Sequence, residues 1–255
     1  MVKERIDILL ARKGLAPSRE KARVLVMAGE VYVGKERVTK PDRKFPEDAL
    51  IEIKVDPIPY VSYGGVKLEA ALRAFGIDVS GKKTLDVGSS TGGFVDCLLK
   101  CGASMVYAID VGTHQLHEKL RGDPRIFLRE NYNARELNIR VIGERVDLAT
   151  IDVSFISLRK ILPAIVPLIK PDGCIMSLLK PQFEVGRFEV GKGGIVKDEE
   201  KINRVMGEIG EFGRTLGIKV VNTVEVPRDK EKKNKEYFIL WEIHMYRNQS
   251  SILQA

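Results

Sequence analysis

A chain of 255 residues has room for one large domain, or for a small domain followed by a medium one. With 44% hydrophobic and 30% charged residues it has the composition of an ordinary water-soluble fold, and no apolar run reaches the ~18–20 residues that a membrane-crossing helix needs. The net charge of +7 is unevenly spread: residues 1–45 hold twelve Lys/Arg against six Asp/Glu, which points to a docking segment for a polyanion rather than a uniformly basic surface.

The N-terminus, MVKERIDILLARKG, has acids and arginines interspersed and no small-residue cleavage site, so the cytoplasm is the expected location. Ile6, Leu9 and Leu10 have helical spacing, and Gly14 and Pro17 close that helix. Ser18 can cap a second helix that buries Ala22, Val24, Leu25 and Val26 and ends at Gly29. Short strand-like runs follow at VYV (31–33), ERV (36–38) and ALIEIKV (49–55). These elements make a small α+β domain over residues 1–56. The next stretch, residues 57–66, has the proline and glycine content of a linker.

A helix is expected from Lys67, with Leu68, Ala71, Leu72 and Phe75 on one side, ending at Gly76. From about residue 82, strands and helices alternate. KTLDVG, MVYAIDV, RIFLREN, VDLATIDVS and GCIMSLLK read as strands; FVDCLLKCG, QLHEKLR and LRKILPAIVPLIK read as helices, the last tolerating Pro163 and Pro167. EKINRVMGEIGEFGRTLG places Ile202, Val205, Met206, Ile209, Phe212 and Leu216 on one helical face. KVVNTVEV and EYFILWEIHM then read as an antiparallel pair. Such alternation predicts an α/β domain over residues 67–246, a doubly wound and mainly parallel sheet covered on both faces, with a tail at 247–255. Cys97, Cys101 and Cys174 are too few for a disulfide framework and read as buried small hydrophobes. His114 and His117 have no third ligand near them in sequence, so no metal site is expected.

The strongest chemical signal is DVGSSTGGF at 86–94, a glycine turn between a strand and a helix. Glycines at 88, 92 and 93 fit neither the dinucleotide fingerprint nor a phosphate-gripping loop, and Asp86 ends the strand. A carboxylate at the turn suits a ligand with an ammonium group and a ribose but no phosphate, which describes S-adenosylmethionine. Asp86 could then face the amino-acid end. Asp110, at the end of the next strand, is placed for the two ribose hydroxyls.

Four further charges sit at element ends: Lys67 opens a helix, Asp152 and Lys180 end strands, and Glu236 begins the last strand. Carboxyl ends of parallel strands line the ligand crevice of an open α/β sheet, and a final strand running the other way brings its N-terminal end to the same edge. Methyl transfer to a ribose 2′-hydroxyl, a poor acid, needs a base. A lysine can serve when burial and a neighbouring cation favour its neutral form. Lys180 is the candidate base and Lys67 the second cation, with Asp152 and Glu236 orienting the ammonium and the ribose.

The run DVGSSTGGFVDCLL, followed by AIDVG, DVSFISL, LLKPQFE and KGGIVKD, resembles the TlyA-like ribosomal RNA 2′-O-methyltransferases, whose catalytic domain is similar to the FtsJ-like group. RIDILLARKGLAPSREKARVLVMAGEVYV resembles the small RNA-binding domain shared by a ribosomal protein, pseudouridine synthases and tyrosyl-tRNA synthetases. The resemblance implies a Rossmann-like class I methyltransferase fold, S-adenosyl-L-methionine as cofactor, and methylation of cytidine riboses in ribosomal RNA. It implies a catalytic tetrad at Lys67, Asp152, Lys180 and Glu236, and RNA contacts from Arg5, Arg19, Lys21 and Arg23. The cofactor set it implies is Asp86, Gly88, Ser89, Ser90, Thr91, Gly92, Gly93, Phe94, Asp110, Val111, Asn133 and Asp152. Ribosomal RNA or ribosomal subunits are the expected partners, with no membrane, and a monomer is the expected state. The chain departs from the family at Tyr63, where relatives usually carry arginine, and in the charged VPRDKEKKNKE that leads to Glu236.

Three other readings compete. An RNA-binding assembly protein with an inactive fold would bind cofactor without turnover. A pore-forming haemolysin, a name some family members carry, would need long apolar helices or amphipathic strands to line a pore. A base methyltransferase would place an Asn/Asp-Pro-Pro-Tyr loop or a catalytic cysteine where this chain has DVSF.

Overall fold

The computed structural model describes residues 3–53, 59–226 and 234–244. Residues 54–55 of the strand-like run ALIEIKV, 57–58 of the expected linker, 227–233 of the charged approach to Glu236, and the tail lie outside them. The chain divides into two units, Met1–Ile58 and Pro59–Ala255.

The first unit runs β1 (Lys3–Arg5), α1 (Ile6–Arg12), α2 (Arg19–Ala28), β2 (Val31–Val33), β3 (Glu36–Val38), β4 (Lys44–Pro46) and β5 (Ile51–Ile53). Strands β3, β2 and β5 form one antiparallel sheet and β1 pairs with β4 in another. Ser18 caps α2, its Oγ accepting from Lys21 N at 3.2 Å, and Gly29 ends it at φ 73°. Ile6, Leu9, Leu10, Ala22, Val26, Val31 and Val38 make a dry core. Val24, expected inside, is 58% exposed, because two residues along a helix turn about 200° and carry it away from the Ala22–Val26 face. The β1–β4 pair has no counterpart in the sequence reading, since KER and KFP are charged or proline-bearing and lack the β-branched residues that marked the other short strands.

The second unit contains α3 (Tyr63–Phe75), β6 (Lys83–Val87), α4 (Gly93–Lys100), β7 (Met105–Ile109), β8 (Ile126–Arg129), α5 (Ile139–Ile142), β9 (Val146–Ile151), α6 (Leu162–Ile165), β10 (Ile169–Leu179), α7 (Pro181–Glu184), α8 (Glu199–Thr215), β11 (Ile218–Glu225) and β12 (Tyr237–Ile243). Its seven-stranded sheet has the order β11-β12-β10-β9-β6-β7-β8. Strands β10, β9, β6, β7 and β8 are mutually parallel, while β12 runs antiparallel to both β10 and β11. Alternate strand residues feed two cores. Leu85, Val87, Tyr107 and Ile109 face the α6 and α8 side, whereas Val106, Ala108, Leu148, Met176 and Leu178 pack with Leu68, Leu72, Phe94 and Leu98 of α3 and α4. Among the described residues no helix is long and apolar enough to cross a membrane.

Three expectations for this unit are corrected. The helix expected from Lys67 starts at Tyr63, so four residues assigned to the linker are helical. The run LRKILPAIVPLIK is not one helix: Pro163 and Pro167 lack an N–H to donate, and the segment breaks into α6 between two 3-10 turns, at 158–160 and 166–168. QLHEKLR forms turns instead of a helix. There the Glu130 carboxylate accepts from the backbone N–H groups of His114 at 2.9 Å, Gln115 at 2.8 Å and Leu116 at 3.3 Å, and His114 takes φ 55°.

Helix α8 is capped by Asp198, which accepts from Glu200 N at 3.1 Å and Lys201 N at 3.3 Å, and it buries Ile202, Val205 and Ile209. Gly213 on that helix has Trp241 of β12 where its Cβ would be, with Cζ3 at 2.3 Å, while Gly207 has open space. In a helix interior Gly→Ala normally stabilises by about 1 kcal/mol, whereas overpacking a rigid buried ring costs about 1–3 kcal/mol. Thermal or urea melts should therefore show Gly207→Ala raising stability and Gly213→Ala lowering it. Stabilisation by both would show that the Trp241 contact yields.

Candidate functional site

Sheet register decides which residues meet. Val87 is level with Ile109 on β7 and Ile151 on β9; Ile151 is level with Ser177 on β10, and Leu179 with Tyr237 at the start of β12. Residues just beyond these ends therefore share one edge: Gly88, Asp110, Asp152, Lys180 and, from the antiparallel strand, Glu236. This is the edge where open α/β sheets bind ligands.

The 88–93 turn leaves β6 with Gly88 N and Ser89 N donating to Ile109 O at 2.8 and 3.3 Å. Its glycines are demanded by protein neighbours. At Gly88 (φ 87°) a Cβ would lie 2.3 Å from Asp152 O; at Gly92 (φ 92°), 2.5–2.6 Å from Leu120 and Leu116 side-chain carbons; at Gly93, 2.1 Å from Ser62 Oγ and 3.0 Å from Gly65 N. The sequence reading assigned these glycines to close approach of a ligand; their first role is close packing of the walls around it.

A cleft of about 620 Å³ opens above the turn, walled by Ser89, Ser90, Thr91 and Phe94, by Ser62, Tyr63 and Lys67 of the α3 end, and by Asp152, Gln182, Asn234 and Glu236. Lys67 Nζ lies 2.5 Å from Glu236 Oε2, across 169 residues of sequence. Lys180 Nζ lies 2.5 Å from Asp152 Oδ1 and donates to Ser154 Oγ at 3.0 Å, with only 10% of its side chain exposed. The four expected catalytic residues are thus brought together, but as two lysine–carboxylate pairs. Each acid holds one lysine: Glu236 meets Lys67, and Asp152 meets Lys180.

A second cavity, of about 530 Å³, shares Gly88, Ser90 and Asp152 with the first and is lined by Asp110, Val111, Gln115, Tyr132, Asn133 and Phe155. Asp110 Oδ2 accepts from Ser90 N and Oδ1 from Gly112 N, both at 2.7 Å, so this acid also shapes the turn. Asp86 lines neither cavity. It is fully buried, with Oδ1 2.7 Å from Thr150 Oγ1 and Oδ2 without a protein partner. Burial, eased by the Thr150 hydroxyl and reinforced by the charges of Asp152 and Asp110, pushes its carboxyl up to about 7.

Several wall residues were not read from sequence. Ser62 and Gly64 come from the supposed linker, held in place because Asp96 Oδ2 accepts from Val61 N at 2.9 Å and Lys100 donates to Pro59 O. Asn234 pins the glycine loop, accepting from Val196 N at 2.8 Å and donating to Gly194 O at 2.7 Å. Phe155, at φ 63° and 91% exposed, meets the Phe183 ring at 5.1 Å between centres and a tilt of 49°. Pairings of this kind leave no local pattern; only DVSF and LLKPQF as exposed aromatics next to strand-end charges could have hinted at the last.

In the first unit, Arg19, Lys21 and Arg23 are exposed on α2. Arg5 and Arg19 both reach Asp7 of α1, at 3.0 and 3.1 Å.

The two cavities suit a zwitterionic nucleoside. Ser89 Oγ and Gln182 Oε1, in the wall of the first, are buried with no protein partner, and a carboxylate and an amide border the second. Residues 60–243 match the model of the FtsJ-like methyltransferase family, and residues 4–51 match that of the S4 domain. YqxC of Bacillus subtilis, described as a candidate rRNA methyltransferase, is 50% identical over 216 residues, 84% of this chain and 77% of that one. The 16S/23S rRNA (cytidine-2'-O)-methyltransferase TlyA of Mycobacterium tuberculosis is 42% identical over 238 residues, covering 93% and 88%. Among solved structures, a protein of Streptococcus thermophilus described as a candidate hemolysin gives a TM-score of 0.74 at 40% identity, covering 96% of this chain and 90% of that one.

Asp86 yields a stability signature. Its folded pKa of about 7 exceeds the ordinary 3.8, so between those values the folded chain binds more protons than the unfolded one. Its contribution is fully present below about pH 4 and declines as pH rises to about 7. Across that window the wild type should lose a few kcal/mol relative to Asp86→Asn, in denaturant melts run at successive pH values. A constant difference from pH 4 to 7 would contradict the assignment.

Proposed function

The chain belongs to the FtsJ-like methyltransferase family, with an S4 domain ahead of the catalytic one, and from that premise we propose that it methylates ribose 2′-hydroxyls of ribosomal RNA, cytidine in particular. The observation that carries the reading is that Lys67, Glu236 and Asp152 wall the cleft over the glycine turn, with Lys67 paired to Glu236 and Lys180 to Asp152.

S-adenosyl-L-methionine supplies an electrophilic methyl group on a sulfonium. Gly88, Ser89, Ser90, Thr91 and Gly92 would hold its amino-acid end, with Asp152 nearby; Asp110, Val111 and Asn133 would hold the ribose and adenine. Asp86, behind the turn, supports this site through Thr150. Gly93 and Phe94 carry the turn into α4.

Lys180, as the free amine, takes the proton from the 2′-hydroxyl, and Asp152 and Ser154 beside its nitrogen hold the ammonium that results. A 2′-oxygen losing its proton becomes negative, and Lys67, oriented by Glu236, offsets that charge in a partly water-excluded cleft. Phe155, exposed at the rim with Phe183 behind it, offers a face on which an unstacked base can lie. Proximity of the reacting groups supplies much of the acceleration. Arg5, Arg19, Lys21 and Arg23 dock phosphates, so RNA affinity falls as salt rises. Ribosomal RNA or a ribosomal subunit is the partner this reading implies, in the cytoplasm, with the chain acting as a monomer.

Lys180→Ala tests the assignment. Loss of a general base costs about 10²–10⁴-fold in turnover. Methyl transfer to ribosomal RNA should fall by that much, while cofactor affinity, read by calorimetry, changes only a few-fold. Turnover within ten-fold of wild type would remove Lys180 from the role.

A further inference from the structure

Asp7 is an acid in the middle of a face read as binding a polyanion. It has no exposed surface. Arg5 donates to it through Nε to Oδ1 and Nη2 to Oδ2, both at 3.0 Å, and Arg19 Nε donates to Oδ2 at 3.1 Å. Burial alone would raise its pKa; the two guanidiniums outweigh that and hold the carboxyl below its ordinary value. The two arginines come from different places in the chain, the residue before α1 and the first residue of α2. Their side chains remain 35% and 53% exposed, and neither Nη1 group nor the Arg19 Nη2 is used by these contacts.

We propose that Asp7 is a positioning residue for RNA: it binds the Nε edges of Arg5 and Arg19 and so presents their outer N–H groups as one preformed phosphate-binding pair. This deepens the docking role given to these arginines above and rests on it. The physical reason is the cost of ordering. A free arginine loses rotamer entropy when it grips a phosphate, and a buried carboxylate that already holds the guanidinium has removed that loss beforehand. A planar guanidinium anchored along one edge keeps another edge for a second oxygen pair.

The sign of one substitution separates positioning from plain charge. Removing an acid makes the face more positive, so long-range electrostatics alone predicts tighter RNA binding for Asp7→Asn. Positioning predicts weaker binding, by about 5- to 30-fold if each arginine must now be ordered at ~0.5–1 kcal/mol.

The test uses the full chain and a fluorescently labelled ribosomal RNA transcript, titrated at several salt concentrations. The variants are Asp7→Asn, Arg5→Gln with Arg19→Gln, and all three changes together, with amide hydrogen exchange over residues 3–53 as a control on folding of the first unit. Expected are weaker binding for Asp7→Asn, weaker binding with a shallower salt slope for the double arginine variant, and no further loss when Asp7→Asn is added to it. A merely structural Asp7 would weaken binding as much in the double background as in the wild type, and that result overturns the proposal, as does unchanged or tighter binding by Asp7→Asn. If the double arginine variant binds like wild type, the docking role of those arginines fails, and the proposal with it. Should Asp7→Asn not fold, Asp7→Ser, neutral and smaller, takes its place in the same set of variants. Several-fold weaker binding supports positioning; wild-type affinity overturns it.

Discussion

The start of helix α3 packs closely on the N-terminal turn of α4. A side chain at Gly93 would run into Ser62 Oγ and press on the backbone of Gly64 and Gly65, at 3.2 and 3.0 Å, while Gly65 makes room for the Tyr60 ring. Backbone gives way less readily than a flexible side chain, so the approach favours glycine at both positions. It is reinforced along α4, where Asp96 in the first turn accepts from Val61 N and Lys100 at the far end lies 5.1 Å from the Tyr60 ring centre. Everything that α3 gives the site follows: Ser62 and Tyr63 wall the cleft, and Lys67, one turn further along, meets Glu236 from the far end of the sequence.

The same edge of the sheet concentrates negative charge, with Asp86, Asp110 and Asp152 at three neighbouring strand ends. Each is handled differently. Asp110 accepts from the backbone N–H groups of Ser90 and Gly112, Asp152 forms an ion pair with Lys180, and burial raises the carboxyl pKa of Asp86, whose Oδ1 meets the Thr150 hydroxyl. In the proposed reaction the two lysines are the groups that act on the hydroxyl proton and on the oxygen turning negative. Glu184 adds order to the same edge: its buried carboxylate accepts from Ser157 Oγ at 2.6 Å and Leu158 N at 2.8 Å, tying the loop after β9 to the helix that follows Lys180.

Much of this was legible in the sequence because it is periodic or punctuated. The alternation of strand and helix pointed to the parallel sheet, the short gap without a helix before EYFILWEIHM to the antiparallel last strand, and charges at element ends to the edge that Lys67, Asp152, Lys180 and Glu236 share. The misses have physical causes. QLHEKLR has helical spacing, but Glu130 captures its first N–H groups and Leu116 and Leu120 pack on Gly92. Two prolines divide the segment after Asp152. Partner choice is the larger gap: spacing could place two lysines and two acids on one edge, but only the three-dimensional register pairs Lys67 with Glu236 and Lys180 with Asp152. Ser62, Gln182 and Asn234 were invisible because a polar residue in a loop looks the same whether it faces solvent or a cleft.

The central claim is that this cleft moves a methyl group onto a ribose oxygen. Its most direct test is to incubate the protein with ribosomal subunits and methyl-tritiated S-adenosylmethionine, digest the RNA to nucleosides, and identify the labelled product. The account predicts label in 2′-O-methylcytidine. Label on a base, or none from protein shown to bind the cofactor, would contradict it.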